Sequence, residues 1–160
     1  MKFSFGLFSA SSIVLILGWM AKLQFIFGGD YLFRAASLGI LVSIAVSIYD
    51  IKNVQTPNVR RIFIVNLLTL MVAYCGMMLK VSHIMETQFE KDLVLDVLAY
   101  PAIIGNLLYT FANAETLINQ NRMIQVRFIK HALLPWCVFI FSLILYAVYS
   151  AALSRMVAVN

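Results

Sequence analysis

Residues 62–84, IFIVNLLTLMVAYCGMMLKVSHI, decide the fold of this chain. Lys80 is the only permanent charge in the run, and the run is longer than the about 18–20 apolar residues that cross about 30 Å of hydrocarbon. Its apolar residues are continuous, not alternating, and the run is about twice as long as a barrel strand. In lipid an unpaired backbone is too costly, so such a run must be helical.

Four further runs of the same kind flank it. They cover residues 5–27, 31–51, 93–112 and 132–153, and Gly28-Gly29-Asp30 separates the first two. The reading is an all-α integral membrane protein of five transmembrane helices, with residues 1–160 as a single membrane domain. Composition agrees: 62% of residues are apolar, 12% are charged, and mean hydropathy is +0.91. A soluble domain is nearer 45–50% apolar and about one quarter charged, and it could not hide this much apolar side chain. The same figures exclude disorder. Lys2 and the small residues around Phe8-Ser9-Ala10 have the look of a secretory signal. The apolar run continues past them to Phe27, so it reads as a retained first helix.

Charge sets an orientation. With five helices, Lys2, Lys52, Arg60, Arg61, Arg122, Arg127 and Lys130 share one side with only Asp50 and Glu115. The other side carries Lys91 and Arg155, with Asp30, Glu86, Glu90 and Asp92. Basic residues mark the cytoplasmic side, so the N-terminus is expected in the cytoplasm and the C-terminus outside. The net charge of +5 follows from this topology and needs no nucleic acid partner. Two connectors are polar. Residues 52–61 turn at Pro57. Residues 113–131 repeat Leu117, Ile124 and Phe128 at helical spacing beside Arg122, Arg127 and Lys130. The longer one reads as a surface helix resting on anionic headgroups, as an extension of the fourth helix, or as a docking site for a cytoplasmic partner.

Cys75 and Cys137 lie inside apolar runs with no further ligand at metal spacing, so no disulfide, metal or cofactor is expected. Gly18-Trp19-Met20-Ala21-Lys22 aligns with Gly76-Met77-Met78-Leu79-Lys80, and Ile26 then falls on Ile84. Two parallel-repeat hairpins plus one helix would produce this pattern. Gly18 and Gly76 permit close helix packing, with Gly39, Ala35 and Ala36 as further small residues.

Ionisable residues inside spans are functional candidates. Here they are Lys22, Arg34, Lys80 and Asp96, with His83 at the edge. Helix rise places Lys22 about 8 Å, and the other three roughly 10–12 Å, outward of their helix midpoints. This is one layer in the outer half. Its basic members either snorkel to the interface or form a charged site, in which Asp96, the one carboxylate at that depth, pairs with Lys22 or Lys80. In the fourth helix Pro101 and Gly105 favour a kink, and Asn106 is expected to bond across to a neighbouring helix. Pro135 and Trp136 read as a first-turn proline and an interface anchor.

Gly76 followed by Leu79-Lys80-Val81-Ser82-His83 resembles the first membrane helix of the Bacteroidetes gliding-motility motor protein L, which serves the type IX secretion motor. That pattern is a Gly, a Leu/Phe-Lys pair and a His, with an acidic residue in the next helix. The resemblance implies a helix hairpin in which a membrane lysine and an acid serve proton-driven rotation. Lys80 and His83 match by position and Lys22 is a partial echo. The acidic position falls near Asn106, which carries no proton.

These readings lead to a non-enzymatic polytopic protein of the bacterial inner membrane. It would be a packing or accessory subunit against other membrane proteins or copies of itself. The alternative is a small ion-coupled transporter using Lys22, Lys80, His83 and Asp96. A lipid-acting enzyme finds only His83, Glu86 and Glu90, too little for a catalytic constellation.

Overall fold

A computed structural model of the chain describes residues 2–24, 28–51, 54, 56–81, 97 and 99–159. Among them are the α-helices α1 (Lys2–Leu23), α2 (Gly29–Ile51), α3 (Pro57–Val81), α4 (Tyr100–Ala112), α5 (Ala114–Ile118), α6 (Arg122–Phe128) and α7 (Leu134–Val159). A π-helical turn, Ile129–Leu133, joins α6 to α7, and no strand occurs among the described residues. Four helices are long and apolar enough to cross a membrane: Phe3–Leu23, Gly29–Ile51, Pro57–Val81 and Arg122–Ala152. Of the expected fourth span, 93–112, the regular α-helix is described only from Tyr100. The described residues therefore give four such helices where the sequence reading expects five.

The last helix corrects its expected boundary. It begins at Arg122, not near residue 132, and runs through the π turn as one apolar helix. Residues 122–131 are thus a forward extension of the final span, while Ala114–Ile118 follows α4 after a break at Asn113. Pro135 accounts for the π turn. It has no N–H for the His131 carbonyl, and its ring crowds that carbonyl. The chain widens just before it, where the Leu134 N–H donates to the Ile129 carbonyl five residues back. The same device precedes Pro101, where Val97 and Ala99 are π-helical before α4 begins. Asn121 starts α6, its side chain accepting from the Ile124 N–H at 3.0 Å.

Contacts along the helices fix their directions. Ser11 faces Gly39 and Gly18 faces Phe33, so α1 and α2 are antiparallel. Phe5 meets His131 and Trp19 meets Tyr146, so α1 runs parallel to α7. Phe63 meets Phe128 and Tyr74 meets Phe139, at 5.2 and 5.0 Å between ring centres, so α3 does too. Thr69 pairs with Asn106 and Asn66 with Thr110, which makes α4 antiparallel to α3.

The α1–α2 hairpin closes on glycine. Gly28 turns the chain with φ of +97°, a conformation that costs a side chain dearly. Its carbonyl then accepts from the Tyr31 and Leu32 N–H groups and starts α2. A Cβ on Gly18 would lie 2.9 Å from the Phe33 backbone nitrogen, and one on Gly39 would overlap the Ser11 hydroxyl. At Gly18 the helices therefore touch backbone to backbone, and at Gly39 the Ser11 side chain fills the space a Cβ would take. The core above and below is apolar, with Leu15, Trp19, Phe33, Ile40, Leu67, Leu70 and Phe139 fully buried. Trp136 is also buried, at 6% exposure, edge-on to Phe139. It packs inside the bundle instead of serving as the expected interface anchor.

Candidate functional site

The end of the bundle formed by the close of α1, the start of α2, the close of α3 and the outer turns of α7 gathers the interior charges. Lys22 is 5% exposed and forms an ion pair with Asp30, whose side chain is half exposed. Gly29 makes this possible. A Cβ there would lie 3.0 Å from the Lys22 backbone nitrogen, so glycine lets the first turn of α2 sit against the last turn of α1 without crowding it. The Lys22 ammonium also lies 5.3 Å from the Tyr149 ring centre and 6.0 Å from that of Phe33, within cation–π range.

Lys80 repeats the arrangement from α3. It is 7% exposed, and its ammonium is 5.4 Å from the Tyr146 ring centre. Tyr146 and Tyr149 are three residues apart, on one face of α7. Trp19 lies between the two systems, fully buried, with ring centres 6.4 Å from Tyr146 and 6.5 Å from Tyr149. A cavity of about 400 Å3 opens beside Lys80, lined by Tyr100, Tyr146, Ser150 and Ser154 among others.

The structure thus brings Lys22 and Lys80 onto the same tyrosine face, while Arg34 is exposed on α2, one turn after Asp30. Gly76 is buried one turn before Lys80. His83 and Asp96, and with them the Asp96 ion pair expected from the sequence, lie outside the described residues, as do Ile26 and Ile84. The carboxylate on Lys22 is Asp30, which the sequence reading assigns to an outside loop. Asp96 is therefore not the one acid of this layer. Asp30 had a sequence signal, an acid directly after a glycine pair at the start of an apolar run, where a helix N-terminus favours it. Tyr146 and Tyr149 had only their spacing.

Deeper in the bundle the polar groups join α3 to α4. The Thr110 hydroxyl donates to Asn66 Oδ1 at 3.1 Å, and the Asn66 amide donates to the Ile62 carbonyl at 3.0 Å. The Thr69 hydroxyl lies 2.8 Å from the Val65 carbonyl and 3.2 Å from Asn106 Oδ1, and Asn106 is buried. The bonds of Thr110 to Asn66 and of Thr69 to Asn106 join the two helices, while those to the Ile62 and Val65 carbonyls stay within α3. Among the described residues no group of three or more His, Cys, Asp or Glu is placed to hold a metal ion.

No protein-family model, curated protein or solved structure matches this chain.

Proposed function

We propose that this chain is a polytopic inner-membrane protein, with its N-terminus in the cytoplasm, that serves as a packing subunit of a membrane complex. One observation carries the reading: several interior polar groups hold one helix to another. Lys22 answers Asp30 across the α1–α2 turn, the two lysines rest on α7 tyrosines, and the Asn–Thr pairs join α3 to α4. A buried lysine already matched by a carboxylate is poorly suited to bind and release an ion. The outward face of α4 offers a contact surface. Ile104, Leu107, Leu108 and Phe111 are all more than half exposed, Phe111 at 85%. The resemblance of the second hairpin to the motor-protein helices enters this reading as a packing pattern, with Lys80 as its shared residue.

A photo-crosslinking side chain at Phe111 or Leu108 tests it in cells. Under this reading a protein adduct of defined mass forms from α4 and not from Val42 of α2, which is also exposed. Adducts with lipid alone would count against it.

The cavity beside Lys80 favours a second reading, an anion-coupled transporter with Lys80 at its site. Under that reading Lys80→Met abolishes uptake in reconstituted vesicles while the fold and assembly persist.

A further inference from the structure

At the opposite end of the bundle, a cavity of about 560 Å3 lies between the first turns of α1 and the α6–π segment. Two adjacent rows of the helix line it, Arg122–Val126–Lys130 and Met123–Arg127–His131, and Phe5 of α1 closes the other side. The Lys130 ammonium is 5.5 Å from the Phe5 ring centre. His131 is buried, with Nδ1 3.4 Å from the Ser47 hydroxyl. Among the described residues Arg122, Arg127 and Lys130 form no ion pair. Three cations and an apolar wall therefore face one space, where the final span begins.

We infer that this cavity binds the phosphate headgroup of an anionic phospholipid. Arg122, Arg127 and Lys130 would hold the phosphate, and the first acyl carbons would lie against Phe5, Met123 and Val126. Guanidinium groups suit phosphate because they donate in a planar fork. The apolar part is what a free anion would not need and what an acyl chain uses. Position favours the same ligand, because basic pockets between membrane helices on the cytoplasmic side take anionic headgroups. The π turn keeps residues 122–131 in line with the final helix, so Arg122, Arg127 and Lys130, all exposed, stand along one open cleft beside Phe5. The inference rests on the membrane reading above.

The test uses the full chain purified in a neutral detergent and equilibrated with phosphatidylglycerol or phosphatidylcholine, with bound lipid counted by native mass spectrometry. One phosphatidylglycerol should bind saturably and in preference to phosphatidylcholine. Neutralising Arg122, Arg127 and Lys130 to Gln should weaken it roughly fivefold per charge removed. Arg60→Gln with Arg61→Gln, at the same end but off the cavity, should leave binding intact. Met123→Trp keeps every charge but fills the apolar wall, and it should also weaken binding. Circular dichroism and gel filtration establish that each variant folds. Equal loss in the Arg60/Arg61 variant would mean diffuse charge attraction and would overturn the site. So would undiminished binding in the triple variant, or displacement of the lipid by millimolar inorganic phosphate alone. Alkaline carbonate extraction separates the two levels. A chain released into the soluble fraction refutes the membrane reading, whereas a membrane-retained chain with no bound phosphatidylglycerol refutes only the lipid site.

Discussion

Lys22 and Asp30 form an ion pair across the glycine turn that joins α1 to α2, with the ammonium buried and the carboxylate half exposed. That inequality makes the two residues unequal under mutation. Asp30→Asn leaves a buried cation that, among the described residues, keeps the aromatic faces of Phe33 and Tyr149, and should cost about 2–3 kcal/mol, below the 3–5 of a fully buried pair because Asp30 reaches water. Lys22→Met leaves Asp30 with one oxygen buried but its side chain half exposed to water, and puts an apolar chain on Phe33 and Tyr149, so the change should cost less, about 1 kcal/mol. Denaturant unfolding in micelles checks both. Equal losses would mean that the pair is not organised as described.

Glycine substitutions should divide by position. Gly18→Ala puts a methyl 2.9 Å from the Phe33 nitrogen, where backbone must move, at a cost of about 1–3 kcal/mol. Gly105→Ala meets nothing within 4 Å and should stabilise α4 by about 0.5–1 kcal/mol, as helix propensity dictates. Thermal unfolding of the two variants side by side decides the matter. A neutral Gly18→Ala would show that the hairpin is looser than this.

The α3–α4 bond between Asn66 and Thr110 should appear as coupling. A double-mutant cycle with Asn66→Leu and Thr110→Val is expected to give about 0.6 kcal/mol and no more than about 1.7, the range for hydrogen bonds between membrane helices. Zero coupling would remove this contact from the account.

Orientation is open to direct labelling. In a background with Cys75 and Cys137 replaced by Ser, Arg155→Cys should react with a membrane-impermeant thiol reagent in intact cells. Arg60→Cys should react only after permeabilisation. The reverse pattern would invert the topology that the basic residues imply.

Much of the fold was legible from sequence because lipid-length apolar runs admit one backbone solution. The spans expected at 31–51 and 62–84 correspond to Gly29–Ile51 and Pro57–Val81, with differences at their ends. Those small differences carried the chemistry. Starting α2 at Gly29 brings Asp30 into the helix and against Lys22. Starting the final helix at Arg122 was hidden because hydropathy falls at Arg122, Arg127 and Lys130, although charge does not stop a helix. The tyrosine face of α7 was also hidden. Which helices meet is a property of packing, and no local pattern in 132–153 announces that Tyr146 and Tyr149 will receive lysines from α3 and α1.

The packing-subunit reading is tested most directly by native mass spectrometry of the chain gently extracted from its source membrane. The account predicts a stoichiometric complex, with another membrane protein or with further copies of this chain. A lone monomer that carries no protein partner at native expression would contradict it, and a small molecule retained by that monomer would direct attention to the cavity beside Lys80.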